Sequence, residues 1–394
     1  MLTSVYALEK LQHLYPEMVQ WRRYLHQHPE LSFQEEKTSR WIAGKLAEFG
    51  CEFEEGVGGY GIVVTIKGER PGPVVALRAD IDALPIQDEK QCDYASTVPG
   101  IMHACGHDGH TSSMLAIAKF YQEHRSDIKG ERRLLFQPAE EVTPGGAIHM
   151  IKDGALAGVD VIYGIHLWAP LRFGQVSTRA GAFMAAADEF TIEIIGLGGH
   201  GGMPHKGIDT IVVGASLVQS IQSIVSRSIN PLHPSVISIG SFQAGTTNNV
   251  IAERCLMKGT VRSFDEESRY FIHERLKQVI EHTCQMYGAK YDFQLRVGYP
   301  AVINNEHEAE RFFRVAEPML GEGNAVRGDE MMVAEDFSYY LDEVPGCFMM
   351  VGAGNGDMST SYSHHHPKFD FEEGAMLKSA ELLIRLAEDY VSEH

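Results

Sequence analysis

Positive charge is in short supply in this chain. Its 394 residues hold 34 Lys and Arg against 53 Asp and Glu, a formal net charge of −19. So acidic a chain lacks the basic footprint that nucleic-acid binding requires, and a polyanionic substrate would need a local basic pocket. Long apolar runs are missing too, and no stretch reaches the ~20 residues of a membrane span. The opening M-L-T-S-V-Y-A-L-E-K has no basic region followed by an apolar run, so no signal peptide is expected. Cysteine occurs only at 51, 92, 105, 255, 284 and 347, without a framework spacing. In a chain of this size these read as reduced thiols, not disulfides. No internal repeat or low-complexity tract stands out. What remains is an acidic, soluble chain expected in the cytoplasm, with 44% hydrophobic residues to build a core. At roughly 100–200 residues per domain it has room for two.

Against that background Met102–Thr111 is unusual. M-H-A-C-G-H-D-G-H-T packs three histidines, a cysteine and an aspartate around two glycines. Thiolate and imidazole at short spacing suit zinc, cobalt or manganese-class ions. The surrounding pattern supplies further groups at the ends of apolar runs. The strand-like Val74–Ala79 leads into R-A-D-I-D-A-L-P with Asp80 and Asp82, and Arg132–Gln137 runs into Pro138-Ala139-Glu140-Glu141. The run Val159–His166 ends in a histidine, and His364-His365-His366 precedes Pro367. Apolar strands that end in polar groups fit an α/β sheet whose carboxyl ends open on a site.

Helical spacing is expected over residues 3–50 with a break at Pro29, over Ser112–His124, Ala147–Gly154 and Glu306–Met319, and over a closing helix Phe371–Tyr390. Two histidines before Pro29, His26 and His28, read as surface or capping residues. Between these pieces the pattern changes. Phe190–Ile195 alternates, Asp209–Arg227 is an amphipathic helix with an Asp cap, Ser235–Gly245 and Ala252–Phe264 are strand-like, Glu266–Tyr287 is helical and Lys290–Val297 is a strand. This order is that of a ferredoxin-like α+β unit. The expected fold is therefore α/β, a mixed central sheet flanked by helices over residues 1–185 and 300–394, interrupted by a smaller satellite domain over 186–299.

The candidate ligands Cys105, His107, Glu141, His166 and one of His364–His366 suffice for two divalent ions. Two such ions can activate a bridging water and polarise a carbonyl. Glu140 is placed to move the proton, and Asp80 to hold a ligand histidine in one tautomer.

In order along the chain, R-A-D-I-D-A-L-P, M-H-A-C-G-H-D-G-H-T, Q-P-A-E-E, G-I-H-L-W, G-G-H-G-G-M-P-H, A-E-D-F-S and H-H-P-K-F-D resemble the motifs of the zinc-dependent aminoacylase-like metallopeptidases. The branch they resemble includes hippurate hydrolases, N-acyl-L-amino-acid amidohydrolases and indole-acetyl-amino-acid hydrolases. The resemblance implies metal-dependent hydrolysis of the amide of an N-acyl-L-amino acid. It implies Cys105, His107, Glu141, His166 and His365 as ligands, with Glu140 as general base and Asp80 as an orienting group. It also implies His200 as an oxyanion-stabilising histidine, Asn249 and Arg262 as binders of the substrate carboxylate, and a homodimer formed through the satellite domain. His103 and His110 are left with structural roles. The Val142-Thr143-Pro144 loop departs from the shorter glycine run usual in relatives. Alternatives are a dipeptidase or carboxypeptidase with the same machinery, or a binding protein without catalysis.

Overall fold

The computed structural model describes residues 2, 5–354 and 362–394. They fall into two compact units, one formed by residues up to Gly181 with Ile303–Asp329 and Asp336–His394, the other by Ala182–Val302 with Glu330–Glu335. The expected insertion, 186–299, thus lacks a returning segment. Ala185 N donates to Met331 O and Val333 O, both at 3.0 Å, and so ties that segment to the second unit.

The first unit is a mixed sheet of eight strands flanked by helices. Helices α1 (Val5–His13), α2 (Tyr15–Gln27) and α3 (Glu36–Glu48) occupy the stretch expected to be helical. Residues 3 and 4 of that stretch lie outside the described residues. Pro16 sits in the first turn of α2, where its missing N–H costs no hydrogen bond. Met18, Trp21 and Leu25 recur at three and four residues and are buried.

Strands β1 (Glu52–Val57), β2 (Gly61–Lys67), β3 (Arg70–Asp80), β4 (Lys129–Gln137), β5 (Val161–Arg172) and β6 (Val176–Thr178) are joined by Ala325–Arg327 and Gly346–Gly354. From edge to edge the order is β1, β2, β4, β3, β5, Gly346–Gly354, β6 and Ala325–Arg327. The neighbours β4, β3, β5 and Gly346–Gly354 run parallel, whereas β1, β2 and β4 pair antiparallel. The acidic edge strand β1, E-F-E-E-G-V, was not expected. One partner holds it and most of it is exposed, so it carries little apolar alternation.

Two expectations need correction. Helix α4 spans His107–Glu123, so it begins inside the Cys/His cluster and not at Ser112. Gly106 caps it at φ 95°, a left-handed conformation natural to glycine. The second cluster glycine, Gly109, lies within the helix, where a Cβ would stand 2.5 Å from Leu167 and 2.6 Å from Phe371. Likewise β5 does not stop at His166 but continues to Arg172, because Gly346–Gly354 pairs beside it through Met350↔His166 and Gly352↔Trp168.

The second unit is an antiparallel sheet in the order Ser235–Ala244, Arg254–Ser263, Ala186–Ile195, Lys290–Arg296, with helices Thr210–Ser228 and Glu266–Tyr287. Phe190, Ile192 and Ile194 turn into its core with Leu217, Ile221, Ile272 and Leu276 from the helices. Asp209 caps the first helix by accepting from Ile211 N at 2.9 Å.

Beneath this sheet Asp188 is buried. It accepts from Arg269 at 2.6 and 2.9 Å, from Gly298 N at 2.9 Å and shares a 2.7 Å bond with His273. Burial opposes its ionisation, but the bonds from Arg269 and His273 outweigh this and hold its carboxyl below the ordinary range. A lowered folded-state pKa adds stability above the unfolded value near 3.8 and loses it as acid titrates the carboxylate. Asp188→Ala should therefore cost about 3–5 kcal/mol near neutral pH, since Arg269 and His273 lose the buried carboxylate they share and Arg269 falls back on the exposed Glu266. In urea unfolding the gap between variant and parent should narrow below pH 4, and an equal gap at all pH values would refute this.

Candidate metal centre

The parallel register gathers the candidate residues at one end of the first unit's sheet. Asp80, the last residue of β3, pairs with Gln137, the last of β4, and Arg78 pairs with Gly164 on β5. Two residues further on, Asp82, Ala139 and His166 follow from adjacent strands. This is the carboxyl end, where open α/β sheets place their ligands.

Cys105, His107 and Glu141 each present a ligand atom there, all within 4.8 Å of one another. His365 Nε2 stands 3.4 Å from Glu141 Oε1, and His166 Nε2 stands 3.4 Å from Cys105 Sγ. The sulfur therefore lies between two sets of nitrogen and oxygen atoms, as a shared ligand would. His107 Nε2 and Glu141 Oε1 are buried and have no hydrogen-bond partner. Buried polar atoms normally find one, so these two atoms are suited to ligate a cation. The donor set of thiolate, imidazole and carboxylate suits a borderline divalent ion.

Electrostatics point the same way. Burial, then the charges of Glu141, Glu140 and Asp80, push the Cys105 thiol well above its ordinary value. A thiolate there needs a cation beside it. Burial disfavours a charged His107, yet Asp80, Asp82 and Glu141 outweigh it and raise that imidazole to about 10. His166 is pushed well below its usual value, first by burial and then by His110 and His364, and so is held neutral.

The aspartate that holds His107 is Asp82, not Asp80. His107 Nδ1 lies 3.0 Å from Asp82 O and 3.1 Å from its Oδ1, so Nδ1 holds its proton there and Nε2 is the nitrogen that would give up its proton to a bound cation. Asp80 bonds His110 Nδ1 at 2.6 Å and Arg78 at 2.7 Å, and its Oδ2 is 3.6 Å from His107 Nε2. Both nitrogens of His110 are used, since Nε2 accepts from Leu167 N at 2.8 Å, which leaves it a structural part. His103 is buried with neither nitrogen bonded, and burial lowers it to about 4. His26 is not on the surface: it is buried, with Nδ1 2.7 Å from Asp108.

The three consecutive histidines divide. His365 donates its N–H to Ala104 O at 2.8 Å and its half-exposed ring reaches Glu141. His364 is the residue whose ring also lies with Cys105 and His166. It stacks on Trp168 at 4.7 Å, and its Nε2 accepts from Ala169 N at 3.2 Å. His366 stacks on Tyr362 at 4.4 Å. Glu140 is buried, outside the Cys/His group, with its carboxylate within 4.8 Å of that of Asp336.

His200, Asn249 and Arg262 belong to the second unit. His200 is exposed and pairs with Val250, while Gly201 N donates to Asn249 O at 2.8 Å, so the first two are neighbours. His200 Nδ1 accepts from Gly202 N at 3.0 Å. Arg262 is half-buried on Arg254–Ser263 and donates to Val261 O at 3.0 Å and to Thr260 Oγ1.

Residues 76–389 match the sequence profile of peptidase family M20/M25/M40. The chain is 48% identical to the amidohydrolase YhaA of Bacillus subtilis over 382 residues, 97% of this chain and 96% of that one. It is 46% identical to an N-acyl-L-amino acid amidohydrolase of Geobacillus stearothermophilus over 311 residues, 79% and 82% of the two chains. Among solved structures, the B. subtilis protein YXEP, a dinuclear metal-binding peptidase, superposes with a TM-score of 0.82 at 34% identity, covering 97% of this chain and 99% of that one. The resemblance read from the motifs is borne out. Among the described residues no helix is long and apolar enough to cross a membrane.

If Asp82 fixes the His107 tautomer, Asp82→Ala should weaken binding of a divalent ion about 10–100-fold. Competition with a coloured chelator measures this directly, and an unchanged affinity would remove Asp82 from the centre.

Proposed function

This chain belongs to peptidase family M20/M25/M40, and we propose that it hydrolyses N-acyl-L-amino acids to a carboxylate and a free amino acid at a two-metal centre. The observation that carries the reading is the group of Cys105, His107 and Glu141, with Nε2 of His107 and Oε1 of Glu141 buried and without a hydrogen bond among the described residues. Cys105, His107, Glu141, His166 and His365 would hold the ions, zinc, manganese or cobalt. When bound, such a pair lowers the pKa of water and polarises the substrate carbonyl.

The chain's own residues do the rest. Asp82 keeps His107 in the tautomer with a free Nε2, and Asp80 holds His110 behind the site. Glu140 takes a proton from the water and delivers it to the departing amine nitrogen. On the second unit, His200 would stabilise the oxyanion, and Asn249 and Arg262 would bind the substrate carboxylate. Neutralising that carboxylate suits a guanidinium whose described hydrogen bonds go only to neutral oxygens. By the same resemblance the chain would act as a homodimer joined through the second unit, in the cytoplasm. A second reading, cleavage of dipeptides, is favoured by the peptidase description of YXEP.

Glu140→Gln should keep its metal, counted by elemental analysis, and lose about 10²–10⁴-fold in turnover. The assay is release of free amino acid from N-acetyl and N-benzoyl amino acids and from dipeptides, with added Mn, Co or Zn. Undiminished turnover by Glu140→Gln would refute the base. Rapid dipeptide cleavage with inert acyl substrates would favour the second reading.

A further inference from the structure

Glu35 stands at the N-cap of α3, a position where a side chain normally accepts from the helix's free amides. Its carbonyl does take the N–H of Ser39 at 2.8 Å, but its carboxylate makes no capping bond. Oε1 instead accepts from Ala139 N at 2.8 Å, far along the sequence. The side chain is fully buried and Oε2 has no hydrogen-bond partner among the described residues. Burying a carboxylate is costly, and a helix cap does not explain it.

The far end of that bond does. Ala139 precedes Glu140 and has φ 54°, a left-handed conformation that costs a residue with a Cβ roughly 1–2 kcal/mol. On the other side of Glu140, Glu141 N donates to Asp82 Oδ2 at 3.0 Å. Ser32 Oγ donates to the same Asp82 oxygen at 2.6 Å. The two amides flanking Glu140 are therefore each held by a buried carboxylate, and both holds trace back to the segment Ser32–Glu35. Just ahead of that segment, Glu30 O accepts from Ala83 N at 2.9 Å, three residues past β3.

We propose that Glu35 is a positioning residue for Glu140: by fixing the Ala139 amide in its left-handed turn, it sets the direction in which the Glu140 carboxylate meets the substrate. The inference rests on Glu140 being the base. A displacement of about 1 Å at a reacting group can cost 10²-fold in rate, so the effect should fall on kcat and not on binding.

The test compares Glu35→Met with Glu35→Gln. Both fill the buried space, but only glutamine keeps an oxygen that can accept from Ala139 N. On the N-acyl amino acid turned over fastest, Glu35→Met should lose about 10–100-fold in kcat, with KM within about twofold and metal content unchanged. Glu35→Gln should stay within about threefold of the parent. Glu35→Ala replaces the methionine variant if circular dichroism shows the latter unfolded, with the same two outcomes. Equal kcat in all variants, equal losses in both, or a loss confined to KM or metal content overturns the proposal. Glu140→Gln run alongside separates the two ideas. If it is inactive while Glu35→Met is unimpaired, only the positioning role falls. If it is fully active, the base assignment falls and the positioning role with it.

Discussion

Arg78 brings a positive charge into the floor of the first unit, and the candidate centre is assembled on top of it. Its guanidinium is fully buried and donates to Asp80 at 2.7 Å, Gln137 at 2.8 Å and Asp336 at 2.9 Å. Those partners end β3, end β4 and open the segment that re-enters the unit at Asp336. One side chain thus ties the ends of β3 and β4, which lead into Asp82 and Glu140-Glu141, to that re-entering segment. Removing one partner of such a buried pair typically costs 3–5 kcal/mol. With Oδ2 of Asp80 committed to Arg78, Oδ1 takes His110 Nδ1, and His110 Nε2 then accepts from Leu167 N. This chain of bonds runs from the guanidinium to the backbone beside His166 and leaves each ring with a defined tautomer. Burial works against the Asp80 carboxylate, but His107, His110 and Arg78 outweigh it and hold it well below the ordinary range.

Above that floor the balance reverses. Asp80, Asp82 and Glu141 face His107, and Glu141 and Glu140 face the Cys105 thiol. Negative charge at this density in a dry pocket is unfavourable without cations to meet it. The structure pairs the charges at the strand ends and leaves His107 Nε2 and Glu141 Oε1 without a hydrogen bond among the described residues. Cys105 belongs to both candidate ligand groups, so its sulfur could serve either ion.

Much of this could be read in the chain, and the parts that could not have physical reasons. Helix Glu266–Tyr287 was legible to the residue because Asp265 caps it and Gly288 ends it in the left-handed region. The strands that bear Asp80 and Glu140 were legible because apolar runs stop there in charged residues. The edge strand β1 was hidden by its exposed acidic side chains, and the length of β5 by a partner strand almost two hundred residues away. At the site, residue types and spacing picked out Cys105, His107, Glu141 and His166. They could not say which aspartate meets His107 Nδ1, because Asp80 and Asp82 point to the same face and differ only in reach. Nor could they show that His364 lies with Cys105 while its neighbour His365 reaches Glu141. The bond from Ala139 N to Glu35 joins residues whose sequence separation carries no signal.

Cys105 would hold both metal ions through one thiolate. Cobalt(II) titration of the metal-free protein tests it most directly, by absorption spectroscopy with elemental analysis of the product. The account predicts saturation at two ions per chain and a sulfur-to-cobalt charge-transfer band that Cys105→Ala abolishes. Saturation at one ion, or a spectrum without that band in the parent protein, would contradict it.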